Sequence, residues 1–240
     1  MNKSKNVKKV PSEFWNEEQL LLKCEGHKEF LEGKIDASYA TVLQLIKLDV
    51  NSKILDIGCG RGEIIKESSK ITDWAVGMDY SADAVNIAHH YAESGNVIRG
   101  TATNFPFQNN VFDYVTILGF IECLDKEDIA KCLQESKRVL KQDGKIYLAT
   151  PNAFGVIFFE FFATLHNLIV LRKNPKKNNW HHSRYVCSTF NYFSLRQLLK
   201  KNCLKPRIRF DSSTKGRLPS FVYKILFFTA PLHCIAEIEK

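Results

Sequence analysis

Three glycines at alternate positions, Gly58, Gly60 and Gly62, follow directly on an apolar run that one carboxylate interrupts, Asp56, in the stretch ILDIGCGRGE. A strand that runs into clustered glycines and then a helix lets a ligand approach the backbone closely and meet the free N–H groups of the helix start. A dinucleotide-binding turn calls for G-x-G-x-x-G/A, but Glu63 stands where its third small residue belongs, and the lysine of a phosphate-binding loop is absent. Asp56 would repel a pyrophosphate. A ligand carrying a positive group suits this turn better.

Other residues with chemical potential lie further along. Glu122 and Cys123 follow the fourth strand expected below, and His181 and His182 stand together in NNWHHSRY with Tyr185 nearby. Histidine is the usual proton acceptor near neutral pH, so His181 and His182 are the candidate catalytic residues. The same pair beside Trp180 also reads as a packed, hydrogen-bonded anchor. Asp113, in NVFDYV, reads as a structural residue at a strand start.

The elements that must position these residues can be read from hydrophobic pattern. Helices are expected through Glu13–Glu25 and Ile35–Leu48 after a basic tail. KILDIG is a buried strand ending at Gly58, EIIKESSKI the helix after the turn, WAVGMDYS a strand ending near Asp79, and SADAVNIAHHYAES a helix begun near Ser81 or Asp83. NVIRG holds a third strand and DYVTILG a fourth. DKEDIAKCLQESKRVLKQDG forms an amphipathic helix ending at Gly144, and KIYLATPN is the strand after it. Alternating strands and helices predict a parallel sheet covered on both faces.

After Pro151 the alternation fails. An aromatic apolar helix, a basic linker, the short helix FSLRQLLKKNC and the strand LKPRIRFD follow. One domain is expected over 1–240, with a helical segment at 1–50, the core at 51–152, a lid or insertion at 153–190 and closing elements at 191–240.

In the apolar stretch Val156–Leu171, Glu160, Thr164 and Asn167 form one narrow polar stripe, so the helix reads as a buried cap or a lipid-contacting surface. This stretch and Phe221–Ala236 both fall short of the roughly 20 apolar residues of a membrane span. The seven cysteines show no C-x-x-C pair and no disulfide framework, and the N-terminus lacks a secretory core, so a cytoplasmic protein with reduced thiols is expected.

The formal net charge of +8 is unevenly spread: Phe161–Phe210 holds eleven Lys or Arg and no Asp or Glu. The remainder is close to neutral. Such a region attracts phosphate, anionic headgroups or nucleic acid.

The glycine turn resembles motif I of the class I S-adenosylmethionine-dependent methyltransferases, an apolar pair followed by D-x-G-x-G-x-G. Asp79, 21 positions after Gly58, stands where that family places the acid that takes both ribose hydroxyls. TATNFPFQNNVFDYV is similar to the family's D-A-x-x-L-P-F-x-x-x-x-F-D, and RVLKQDGKIYLATPN to its R-x-L-K-x-G-G-x-L. The resemblance covers Ile54–Asn152. It implies an α/β, Rossmann-like, seven-stranded and mostly parallel sheet with helices on both faces and an inserted lid.

The resemblance also implies S-adenosylmethionine as cofactor. Its methionine end would meet Gly58, Cys59, Gly60 and Gly62, with Asp56 near its amino group and Asp79 at the ribose. Thr101, in a position where the family often has aspartate, and the Ala102 backbone would face adenine, and Tyr80 and Leu118 complete the expected cofactor set. Cys123 departs from the E-H pair common in related small-molecule enzymes.

Together these features predict methyl transfer to O or N of a small, apolar or lipid-linked and anionic acceptor, with peripheral membrane contact. Two alternatives stay open. The first is an RNA methyltransferase, though GFIE replaces any N-P-P-Y-type segment after strand four; the second is a non-catalytic S-adenosylmethionine-binding regulator.

Overall fold

The computed structural model describes residues 10–24, 26–92, 96–155, 157, 161, 187–210 and 232–238. Seven strands form one sheet: β1 (Ile54–Ile57), β2 (Ala75–Asp79), β3 (Val97–Arg99), β4 (Phe112–Leu118), β5 (Leu140–Thr150), β6 (Leu204–Phe210) and β7 (Leu232–Ile238). Their spatial order is β3-β2-β1-β4-β5-β7-β6. The first five are parallel, while β7 runs antiparallel to both β5 and β6. The direction in which successive strands are added therefore reverses between β1 and β4, and ligands in open α/β sheets bind at the strand C-termini beside such a switch.

Connecting helices cover the sheet as the βα alternation requires. They are α1 (His27–Leu31), α2 (Ala37–Leu45), α3 (Glu63–Ser69), α4 (Ala82–Ala92), α5 (Lys126–Val139) and α6 (Tyr192–Lys201). Two apolar cores result. Ile57, Val115, Ile117, Ile129, Leu133 and Leu195 belong to one, and Ile54, Ile64, Ile65, Ala88 and Val97 to the other. β1 is buried at all four positions because helices pack on both its faces.

Caps mark the helix starts. Asp36 accepts from Ser38 N–H, Asp125 from Asp128 N–H, and Asn191 with Ser194 forms a reciprocal capping box at α6. At Asp113 the carboxylate accepts from Lys53 N–H at 2.9 Å and pairs with Lys141, which accords with a structural role.

Two sequence expectations need correction. The expected helix over Glu13–Glu25 is instead a 3₁₀ turn (Ser12–Phe14) and a separate π-helical turn (Gln19–Lys23), the second closed by Cys24 N–H bonding back to Gln19. At the break between them the Trp15 carbonyl, which Gln19 N–H would meet in a continuous helix, accepts from Ser81 Oγ, and Gln19 N–H donates to Asn16 Oδ1 instead. The helix α5 stops at Val139, five residues before Gly144. Leu140 already pairs with Phe112 on β4, and the ladder resumes at Lys145 opposite Tyr114 after an irregularity.

Among the described residues no helix is long and apolar enough to cross a membrane. All seven cysteines are free thiols. The expected lid falls largely on 162–186, outside the described residues, as do Glu160, Thr164 and Asn167 and the His181/His182 pair.

Candidate active site

The glycine turn is pinned from both sides. Gly58 and Cys59 N–H both donate to the Met78 carbonyl of β2, at 2.8 and 3.2 Å, and Gly62 N–H donates to the Cys59 carbonyl at 2.8 Å. Gly58, Gly60 and Gly62 all have positive φ, of 67°, 50° and 84°, which β-carbon-bearing residues adopt only at a cost.

Their surroundings differ. A methyl group on Gly58 would lie 2.4 Å from the Phe120 ring, and one on Gly62 would lie 2.9 Å from Ala88 on α4. Gly62 thus permits α3 and α4 to approach. A methyl on Gly60 would have no heavy atom of the described residues within 4 Å. Gly60 is the glycine that faces open space at the tip of β1, while the Cys59 side chain turns away from that space and packs beneath Gly77 of β2.

Asp79 closes this space. Its Oδ2 accepts from Gly60 N–H at 3.0 Å and its Oδ1 from Ser81 N–H at 2.9 Å. Burial raises its pKa against those backbone donors. Tyr80 N–H is a third backbone donor, and the acceptor capacity that remains on the carboxylate suits a hydroxyl of a ligand.

Asp56 lies deeper. It is buried at the β1/β4 pairing, directly opposite Thr116, whose hydroxyl donates to it at 2.6 Å. Desolvation pushes its pKa to about 7, with the Thr116 hydrogen bond opposing and the Glu63 and Asp79 charges adding to the rise. Sequence reasoning missed Thr116, because only strand register brings it to Asp56.

The adenine side is looser. Thr101 is exposed, pairs through its hydroxyl with Thr103 at 3.2 Å, and forms an isolated bridge with Asn104. Ala102 packs on the core. The following loop is held by Arg138, which donates to the Phe105 and Phe107 carbonyls and pairs with Glu135.

A second opening lies at the tip of β4, beyond buried Leu118. A methyl on Gly119 would meet two heavy atoms of the described residues within 4 Å, and both are polar: Tyr39 Oη at 3.4 Å and Glu122 Oε1 at 4.0 Å. Burial raises the Tyr39 hydroxyl well above its ordinary pKa, so it stays a donor at neutral pH. Glu122 is buried and accepts from Thr150 of β5 at 3.1 Å, and its backbone carbonyl accepts from Cys187 and Ser188 N–H. The Cys123 thiol is pushed well up by burial, which keeps it neutral. Tyr39 carried no sequence signal, since it reaches the site from α2 across the strand tips.

The N-terminal segment lies along the cofactor side of this site. Tyr80 Oη donates to the Val10 and Pro11 carbonyls, Ser81 Oγ to the Trp15 carbonyl at 2.7 Å, and Glu17 N–H to Asp83. Arg61, between two glycines of the turn, donates to the Leu20 carbonyl at 3.3 Å, pairs with buried Glu63 at 2.7 Å, and sits 5.0 Å over the Phe30 ring.

Residues 55–148 match the family described as "Methyltransferase domain". That match spans the glycine turn, Asp79 and the strands that carry them. Among curated relatives, a demethylmenaquinone methyltransferase of Bacillus licheniformis is 29% identical over 151 residues, which are 58% of this chain and 64% of that protein. The chain thus matches somewhat less than two thirds of that relative's length. The uncharacterised protein MJ1252 of Methanocaldococcus jannaschii is 28% identical over 180 residues, covering 71% of this chain and 69% of that one.

Solved structures share the fold. A complex between the Haloferax volcanii methyltransferase activator Trm112 and a methyltransferase aligns with a TM-score of 0.71 at 15% identity, covering 96% of this chain and 100% of that one. The YcgJ protein of Bacillus subtilis aligns at 0.59 and 20% identity, covering 85% and 99%.

S-adenosylmethionine is the cofactor of this family, and the residues present fit it. The open side of Gly60 leaves room at the turn, the acceptor capacity left on Asp79 suits a ribose hydroxyl, and Asp56 supplies a buried carboxylate for a cationic group. The cofactor brings a sulfonium-bound methyl that is already electrophilic.

Proposed function

We propose that this methyltransferase transfers the S-adenosylmethionine methyl group to an oxygen or nitrogen of a small, apolar or lipid-linked acceptor. The observation that carries the reading is the pair of openings on neighbouring strand tips. One lies off Gly60 on the Asp79 side, and the other lies off Gly119 between Tyr39 and Glu122. An acceptor held in the second would stand beside a cofactor held in the first, which is the alignment that methyl transfer needs.

At the second opening, Glu122 offers a carboxylate to accept a hydrogen bond from an acceptor O–H or N–H, and Tyr39 offers a donor. An acceptor with such a proton must lose it as the methyl bond forms, and Glu122 is the described group placed to receive it. The relation to demethylmenaquinone methyltransferases supports an apolar acceptor class, since demethylmenaquinone is a prenylated quinone.

Incubation of the protein with methyl-labelled S-adenosylmethionine and extract of its source cells tests the reading, with label partitioned among organic, aqueous, RNA and protein fractions. Label is expected in the organic phase. Label confined to RNA, or no transfer despite cofactor binding, would overturn it.

A further inference from the structure

The start of the segment after β5 carries exposed apolar side chains, while most of Val156–Leu171, read as a buried cap or a lipid-contacting surface, lies outside the described residues. Phe154 and Ile157 are helical and three positions apart, a spacing that puts them on one face, and Phe161 is helical as well. They are 53%, 65% and 62% exposed, values that no core-facing side chain shows.

A second element adds to that surface. Asn152 bridges Phe190, and Ala153 N–H donates to the Phe190 carbonyl at 2.7 Å, so the helical start at 153 and the lead-in to α6 leave the sheet side by side. The α6 helix buries Leu195 and Leu199 against the sheet core. Its opposite face, spaced i, i+3, i+4 and i+7, consists of Phe193, Arg196, Gln197 and Lys200, all exposed, with Phe193 at 75%. On β6 the exposed Lys205, Arg207 and Arg209 alternate with Leu204 and Ile208, which join the core that α6 covers, so these three cations face the other side of the sheet, where Arg207 pairs with Glu237 at 3.6 Å. Phe193 thus shares the exposed face of α6 with the cations Arg196 and Lys200, within a stretch of sequence that contains no carboxylate from Phe161 to Phe210.

We propose that this surface, centred on Phe154, Ile157 and Phe193 and flanked by Arg196 and Lys200, docks the protein on an anionic lipid bilayer. Aromatic and aliphatic side chains enter the headgroup boundary while neighbouring Lys and Arg meet lipid phosphates. Charge complementarity selects the occupant, since a neutral apolar partner would leave the cations unused. Ile157 favours lipid over nucleic acid, because an aliphatic chain offers no face for a base to stack on. The surface begins at Phe154, three residues after Pro151, near the β5 tip that carries Thr150, the partner of Glu122. Docking would therefore bring the acceptor opening towards the bilayer. That consequence rests on the apolar-acceptor reading, whereas the docking itself does not.

Co-sedimentation of the full chain with sucrose-loaded vesicles tests the proposal without an acceptor. The protein is expected to pellet with phosphatidylcholine:phosphatidylglycerol vesicles at 3:1 and to stay in solution with phosphatidylcholine alone. The double variant I157S/F193S, and separately R196Q/K200Q, should each lower binding about tenfold or more, while R196K retains it. S-adenosylmethionine affinity should be unchanged in every variant, which separates lost docking from lost folding. No binding to anionic vesicles, equal binding to both vesicle types, or wild-type binding by both double variants would each overturn the proposal. Displacement from vesicles by tRNA that I157S/F193S leaves unaltered would also overturn it and assign the surface to nucleic acid. Vesicle binding without label in the organic phase would defeat the acceptor reading alone.

Discussion

Asp79 and Gly60 are joined by a 3.0 Å hydrogen bond from the Gly60 amide to the Asp79 carboxylate, which ties the turn after β1 to the tip of β2. The same carboxylate bonds Ser81 N–H, so one side chain sets the shape of the turn and still presents lone pairs outward. Substitution of Asp79 by asparagine is expected to lower S-adenosylmethionine affinity about 10- to 100-fold, the usual scale for hydrogen bonds to a charged group. Isothermal titration calorimetry measures this, and unchanged affinity would remove Asp79 from the site.

The glycines of the turn separate into two kinds. Gly60→Ala introduces a methyl into open space, so the cost to folding is that of its positive φ alone, about 1–2 kcal/mol. Cofactor binding should nevertheless fall sharply, because the methyl occupies the space assigned to the ligand. Gly58→Ala adds a collision with Phe120 and should depress the melting temperature well beyond Gly60→Ala. Equal melting temperatures for the two variants would refute the distinction.

Asp56 predicts a pH dependence. Its folded pKa of about 7 lies above the ordinary 3.8, so the native state binds that proton more tightly than the unfolded chain. The resulting stability is complete below about 4 and is lost as pH rises through about 7. Burial raises Asp79 and Glu63 in the same sense. Chemical denaturation between pH 5 and 8 should show stability falling, with a smaller slope in Asp56→Asn. If Asp56 faces the cofactor's cationic group, binding at pH 6.5 should also release a proton, read as a calorimetric heat that depends on the buffer.

Arg61 and Glu63 form a buried ion pair that also holds the Leu20 carbonyl of the N-terminal segment. Arg61→Ala leaves Glu63 buried without this partner and is expected to cost about 3–5 kcal/mol. The double variant Arg61→Met with Glu63→Leu should recover most of that loss. Thermal melts of the single and double variants decide it, and a double variant as unstable as Arg61→Ala would contradict the ion-pair account.

Much of the fold was legible because strand and helix periodicities are local. Ile54–Ile57, Ala75–Asp79 and Phe112–Leu118 lie inside or closely match the stretches read as strands, and Tyr192–Lys201 matches the helix read in the last third. The reading failed where distant partners override local preference. At the N-terminus, Ser81 binds the Trp15 carbonyl that a continuous helix would use, and at Leu140 pairing with Phe112 draws the chain into the sheet early.

The sequence by itself determined the turn chemistry, the acid at the end of β2 and the order of the core elements, since each depends on residues adjacent along the chain. Tertiary structure alone decided which glycine faces open space, that Thr116 meets Asp56, and that Tyr39 and Glu122 converge off Gly119. It also decided that Phe193, Arg196 and Lys200 form the exposed face of α6, and that Phe154 and Ile157 are exposed after the Asn152–Phe190 bridge. Those relationships arise from strand register and helix packing between residues up to about a hundred positions apart, and no local pattern encodes them.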